Sequence, residues 1–315
     1  MAFSRQQEIH SRRWSRLLNR KQNGRPKQNM RRSDRSQAQA SGRKFLLNPP
    51  IGKRLTPQAP AKNEGPQASL ARFRFHSFTV FLRGLMCGRV VQSSGPLRYV
   101  IVDGLDVRDS RVHNYPPRWN VAPSQDLLVI RRNHKTGQLS LDPLRWGLIP
   151  YWCKDPTGGR KPINAKAETV TSLPTFREAY RKRRCIIPVD AFFEWKAIKG
   201  RAKQPYAIAM KDGLPFGIAA IWENWKDPRN GEWVRTFAII TTEANELVAE
   251  IHDRMPAILA RSVYVRWLGD EPDPHDLLRP YPSEEMRIWP ISARVNKPEN
   301  DDSSILEPIN VELAM

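Results

Sequence analysis

Arg184-Cys185-Ile186-Ile187-Pro188-Val189-Asp190-Ala191-Phe192-Phe193-Glu194-Trp195 contains two short runs, Cys185 to Val189 and Ala191 to Trp195, rich in β-branched and aromatic residues. Both are too short for helices and read as strands. The same texture recurs at Gln204 to Met210, Phe216 to Trp222 and Trp233 to Thr241, with Asp227-Pro228-Arg229-Asn230-Gly231 as the turn of a hairpin between the last two. Upstream, Leu127 to Arg132 and Gln138 to Leu144 form a strand, turn and strand about Asn133 to Gly137, and a closing strand covers Met286 to Ile291. Helical spacing is confined to Pro174–Arg184, Thr242–Ile251 and a short piece near Ser262 to Leu268. Tyr115 to Pro123 is too rich in proline for a helix and reads as an extended loop. With no regular alternation of strand and helix and no internal repeat, the pattern predicts one α+β domain on a curled, mainly antiparallel sheet or barrel with inserted helices.

The chain has 315 residues and a formal charge of +20, unevenly spread. Residues 1–86 hold 19 Lys and Arg against 3 Asp and Glu, whereas the remaining 229 hold 33 against 29. Net charge alone therefore does not assign nucleic-acid binding to the folded part. Residues 1–85 lack a sustained hydrophobic period and are expected to be a disordered basic extension. Three readings compete for it: a nucleic-acid-binding arm, a transit peptide, or sequence upstream of the true start. The last is favoured because Met86 stands where ordered texture begins. The domain is expected over residues 86–309, with a short tail at 310–315.

Cys87, Cys153 and Cys185 show neither CxxC spacing nor a His partner at zinc-finger separation, so no metal site, cofactor or disulfide framework is expected. No run approaches the roughly eighteen apolar residues of a membrane span. The chain reads as a soluble, intracellular monomer.

Four positions have chemical potential. If the chain begins at Cys87, that residue carries an α-amine and a thiol on adjacent carbons, titrating near ~8 and ~8.5 when unperturbed. Such a pair can trap an aldehyde as an imine and close it to a thiazolidine. The plainer alternative is an ordinary buried thiol. In Asn164-Ala165-Lys166-Ala167-Glu168-Thr169, an extended backbone puts Asn164, Lys166 and Glu168 on one face, which is equally the pattern of a solvated strand. Glu194 lies inside an aromatic run, where burial would raise its pKa into the range of a neutral-pH acid/base, unless it points outward. His252, at an expected helix end before Pro256, suits either proton transfer or capping of the last carbonyls. Trp146, Trp152 and Trp195 are read as core rather than as base-stacking platforms.

Met86-Cys87-Gly88-Arg89, Asn120-Val121-Ala122-Pro123, Trp146-Gly147-Leu148-Ile149-Pro150, Asn164 to Thr169, Arg184 to Pro188, Phe193-Glu194-Trp195 and His252-Asp253-Arg254-Met255-Pro256 occur in this order. The set resembles the SOS response-associated peptidase (SRAP) family, over about Met86 to Ile309. The resemblance implies an abasic site processing protein that crosslinks to abasic sites in single-stranded DNA through Cys87 once its amine is free. It implies autoproteolysis at the same site, a role in the DNA damage (SOS) response, and an intracellular location on DNA, in bacterial cytoplasm or a eukaryotic nucleus. By carry-over, Asn164 orients the thiol and sugar, Glu194 moves protons, and His252 assists imine formation and reversal. Arg89, Lys166 and Arg254 would contact phosphates. Lys166 departs from the Arg often found there and lacks its bidentate fork, and Ala191 replaces a frequent Gly. Two alternatives stay open: a non-catalytic nucleic-acid binder, and a thiol peptidase acting on other proteins.

Overall fold

The computed structural model describes residues 87–310, apart from 103–104, 106–111, 113, 134–135, 158, 160 and 201. The basic extension expected over residues 1–85 and the tail residues 311–315 lie outside them. The fold is mostly β. In chain order the strands are β1 Val90–Gln92, β2 Arg118–Val121, β3 Asp126–Arg132, β4 Leu139–Trp146, β5 Asn164–Lys166, β6 Arg184–Val189 and β7 Ala191–Lys196. They continue with β8 Gln204–Met210, β9 Phe216–Lys226, β10 Trp233–Glu243, β11 Arg254–Pro256, β12 Ile258–Leu259 and β13 Met286–Pro290.

Five strands close into a barrel: β10 pairs β9, β9 pairs β6, β6 pairs β3 and β3 pairs β4, all antiparallel, and β4 returns parallel to β10. The second sheet is antiparallel throughout, in the order β13-β8-β7-β1-β2. Side chains alternate across each strand, and here both faces are covered. Leu127, Val129, Leu144, Trp146, Ile187, Ala220 and Phe237 pack together with Phe192 and Ile208 of the second sheet. Residues of the other parity, among them Leu128, Ile130, Ile186, Ala219 and Ile221, pack under Tyr180, Tyr264 and Trp267. Burial on both faces is why β6 and β9 read as continuous apolar runs rather than alternating ones. Each fully buried Val, Leu, Ile or Phe among them contributes about 1.5–3 kcal/mol by leaving water. Of the described glycines, Gly217 is the most closely packed: an added Cβ would lie 2.6 Å from Ile186 Cγ2 and 2.9 Å from the Tyr264 ring.

The outer face of the second sheet, with Val91, Ala191, Phe193 and Ala207, is covered by Ile291, Val295 and Ile305 from the C-terminal segment. Asn120 fastens that segment: its buried amide donates to the carbonyls of Val295, Lys297 and Asn300 at 3.0–3.1 Å. Asp301 in turn accepts from the backbone N–H of Asn120 at 2.8 Å and from that of Trp119.

Several local expectations change. Within the supposed loop Tyr115 to Pro123, Arg118–Val121 forms β2, because its backbone finds a partner in β1. The helix expected over Pro174–Arg184 is only Arg177–Lys182, and β6 begins at Arg184. The one expected from Thr242 shrinks to Glu246–Ala249, capped by Asn245 Oδ1 accepting from Val248 N–H at 2.9 Å, because β10 extends to Glu243. In both cases pairing in the barrel overrides local helical spacing. No described helix is long and apolar enough to cross a membrane.

Candidate active site

The register Val90↔Phe192 and Val91↔Ala191 runs β1 antiparallel to β7 and brings the residues before Val90 to Glu194. Phe192 and Glu194 share the strand face that looks toward the barrel, while Phe193 faces the C-terminal segment. The backbone N–H of Cys87 donates to Glu194 Oε1 at 2.5 Å, and both residues are buried. Burial is the main force on the Glu194 carboxyl, pushing its pKa up to about 8 against the lowering effect of its backbone hydrogen bonds. The Cys87 thiol is also pushed up, first by burial and then by the Glu194 charge, so it rests as S–H rather than thiolate. Cys87 has φ +33°, in the left-handed region where a Cβ is strained.

Asn164 opens β5, which lies parallel to β10 with Ile239↔Asn164. The preceding Ile163 packs in the same apolar cluster as Cys87, and its carbonyl accepts from Trp146 Nε1 and from the N–H of Ile239, both at 2.9 Å. A Cβ on Gly88 would lie 4.0 Å from Ile163 Cδ1, so the chain neighbours of Cys87 and Asn164 come close together. The shared face expected for Asn164, Lys166 and Glu168 stops at Lys166. Ala167–Val170 turns helical and carries Glu168 away from the strand.

His252 follows the helix Glu246–Ala249, and its N–H bonds the carbonyl of Val248 at 3.0 Å. Its Nδ1 accepts from the Arg254 N–H at 3.1 Å. Burial lowers its pKa, against the raising effect of Asp253, whose Oδ1 lies 2.9 Å from Nδ1. Glu194 and His252 share two electrostatic neighbours: Lys203 lowers the pKa of both, and Asp253 raises that of both. Neither neighbour stood out in the sequence. Lys203 lies in a charged, loop-like stretch just before β8, and Asp253 was read only as part of the His252 motif.

The three basic residues fare differently. Arg89 is committed internally, donating to Asn120 Oδ1 at 2.9 Å and to the carbonyls of Val295 at 2.5 Å and Asn296 at 3.1 Å. These three bonds use three of its five N–H donors and hold the guanidinium in place. Lys166 is exposed on β5. Arg254, on β11, forms an ion pair with Glu168 and donates to the carbonyl of Thr241 at 2.8 Å. The three tryptophans also separate. Trp146 is fully buried and stacks on Phe237 with centroids 6.1 Å apart. Trp195 is partly buried, its Nε1 donating to Asn296 Oδ1 at 2.7 Å. Trp152 is not core: it is 54 % exposed beside Tyr151, because Gly147 and Pro150 lead the chain off the barrel after β4. Among the described residues, no group of three His, Cys, Asp or Glu is arranged to hold a metal ion.

Comparison with known proteins gives a consistent result. The family described as SOS response associated peptidase (SRAP) matches residues 86–298. The abasic site processing protein YoaM of Bacillus subtilis is 42 % identical over 200 residues, covering 62 % of this chain and 87 % of its own length. The abasic site processing protein YedK of Escherichia coli is 30 % identical, covering 71 % of this chain and all of its own. The abasic site processing protein HMCES of Gallus gallus is 29 % identical, covering 72 % and 79 % respectively. A crystal structure of a protein from Bacteroides thetaiotaomicron matches at a TM-score of 0.63 and 30 % identity, covering 71 % of this chain and all of that one.

Proposed function

Because the chain belongs to the SOS response-associated peptidase (SRAP) family, we propose that it processes abasic sites in DNA by trapping them covalently on Cys87. The observation that carries this reading is the buried contact between the Cys87 nitrogen and Glu194. It puts the nitrogen that cleavage before Cys87 would turn into an α-amine against a buried carboxyl whose pKa, with that nitrogen still an amide, is raised to about 8. Removal of the residues before Cys87 frees that amine.

The chemistry then needs one proton given and one taken. The amine adds to the aldehyde of a ring-opened abasic sugar, and His252, held neutral by burial, takes the proton the nitrogen sheds and returns it to the alkoxide oxygen, giving the carbinolamine. Glu194 protonates the carbinolamine hydroxyl, which leaves as water and generates the iminium. The Cys87 sulfur adds to the iminium carbon and passes its proton to the Glu194 carboxylate, closing a thiazolidine and restoring the acid. Because the Cys87 thiol starts protonated, this second transfer is required. Asn164, which follows Ile163 of the Cys87 cluster, orients thiol and sugar. Lys166 supplies phosphate charge, and exposed Tyr151 and Trp152 suit stacking on unpaired bases, which favours single-stranded DNA.

The same groups serve autoproteolysis. Attack of the Cys87 sulfur on the preceding carbonyl, with Glu194 and His252 relaying protons, moves the acyl group from nitrogen to sulfur; water then hydrolyses the thioester, leaving Cys87 with a free amine and thiol, and the strained φ of Cys87 favours the shift. We assign the protein to the DNA damage (SOS) response, acting as a monomer on intracellular DNA.

The test is incubation of processed protein with abasic single-stranded DNA, followed by a denaturing gel in high salt and detergent. A shifted band that survives, and is lost in Cys87→Ala, supports the trap. Binding that salt abolishes, with no shifted band, would instead favour a reversible nucleic-acid binder. Turnover of unrelated peptides dependent on Cys87 would favour a peptidase acting on other proteins.

A further inference from the structure

We infer that Glu168 is a built-in stand-in for a DNA phosphate, occupying Arg254 until a strand displaces it; this rests on the DNA reading above. At its end beyond the barrel, β10 is flanked by β5 on one side and β11 on the other, with Thr241↔Lys166 and Glu243↔Arg254 in register. Arg254 reaches across to the residue that follows β5 by two. Its Nη2 donates to Glu168 Oε2 at 2.9 Å and its Nη1 to Oε1, so the two planar groups meet fork to fork. This is the geometry with which a guanidinium also takes a phosphate.

The two partners differ in exposure. The Arg254 side chain is 11 % exposed and anchored on the Thr241 carbonyl, whereas that of Glu168 is 48 % exposed. The carboxylate can therefore swing into water while the guanidinium stays in place. The Nε of Arg254 is buried with no hydrogen-bond partner, a donor left unused by the present arrangement. A phosphodiester offers further acceptor oxygens to such a donor, and its charge repels Glu168 from the fork. Exposed Lys166, just before Glu168 on the same edge, adds a second cation for the incoming strand.

Before a strand arrives, Glu168 cancels the charge of Arg254. Undamaged single strands must break that pair to use Arg254, so they are held weakly and released. A strand with an abasic site is retained by the bond to Cys87 once formed. Glu168 thereby shifts selectivity from backbone affinity to lesion chemistry.

The test measures binding of a lesion-free single-stranded oligonucleotide by fluorescence anisotropy at fixed salt, for the parent, Glu168→Gln, Arg254→Gln and the double variant, with thermal melts to confirm folding. Glu168→Gln is expected to bind up to about fivefold more tightly, the size of a solvent-accessible ion pair. That gain should vanish when Arg254 is also Gln. If Arg254→Gln fails to fold, Arg254→Lys replaces it, and the gain should shrink because Lys lacks the fork. Unchanged or weaker binding by Glu168→Gln overturns the inference. So does a gain that persists undiminished without Arg254, since that is long-range charge alone. A parent protein that binds no single-stranded DNA defeats the DNA reading along with it, whereas binding by the parent with no gain defeats only the stand-in role.

Discussion

Glu194 and Glu223 are both 2 % exposed, yet their environments assign them opposite work. Glu223, on β9, has a cation: its Oε1 lies 2.5 Å from Arg183 Nη2. Burial still raises its pKa, but the charge and hydrogen bond of Arg183 pull it back. Glu194, on β7, faces the backbone N–H of Cys87 instead, and burial carries its pKa to about 8. The difference teaches that burial alone does not make a carboxyl reactive. A buried carboxyl with a full countercharge is a structural ion pair. One whose direct hydrogen-bond partners are neutral donors titrates where proton transfer is useful.

The largest contrast should appear in abasic-site crosslinking rates. Cys87→Ala should abolish the reaction, and Glu194→Gln should slow it by about 10²–10⁴-fold, the usual span for a lost acid/base group. Glu223→Gln should leave the rate within about threefold, since its interactions are remote from the proton path. A parental rate in Glu194→Gln would break the comparison outright.

Stability should reverse that order. Glu223→Gln leaves Arg183 without its carboxylate in a mostly buried position, and urea melts at neutral pH should show a loss of about 1–3 kcal/mol. Glu194→Gln should be neutral or stabilising, with a dependence on pH of definite sign. The folded pKa of Glu194 is raised above its unfolded value of about 4.3. Its contribution is therefore fully present below about pH 4 and lost as pH rises through about 8. Parent and Glu194→Gln should melt alike near pH 4–5, and the Gln variant should be the more stable at pH 9. The reverse trend would mean that the carboxylate is favoured in the fold.

The smallest effects come from the two exposed charges that tune Glu194. Lys203 lowers its pKa and Asp253 raises it. In pH profiles of crosslinking, Lys203→Gln should move the apparent midpoint upward and Asp253→Asn downward, each by under about one pH unit because both groups are solvated. Shifts of the opposite sign would place these charges elsewhere than beside Glu194.

The strands of the barrel were legible because β3, β4, β6, β9 and β10 carry runs of apolar, β-branched and aromatic residues. The Asp227 to Gly231 hairpin could be read directly from its residues, and it closes through the Asp227 N–H to Glu232 carbonyl bond at 2.8 Å. What could not be read were pairings between distant segments. Nothing local says that β10 lies parallel to β4 and β5, that Arg118–Val121 joins β1, or that Arg89 is held by carbonyls more than 200 residues away. Such partners are set by the closure of the sheets rather than by period. The site divided along the same line. Cys87, Glu194, Asn164 and His252 were visible as residue types in motifs, and Glu194 could be read as buried or outward until the register of β7 resolved it. The Glu168 to Arg254 pair and the exposure of Trp152 depend on where a strand stops, which periodicity does not reveal.

The central claim is that Cys87, with a free amine, condenses with an abasic aldehyde under the control of Glu194. Intact mass spectrometry of the purified protein, before and after mixing with an abasic single-stranded oligonucleotide, tests it most directly. The predicted result is a chain beginning at Cys87 that gains the mass of the oligonucleotide less one water. A chain beginning at Cys87 that gains no mass would contradict the claim, as would an adduct that forms equally well in Cys87→Ala.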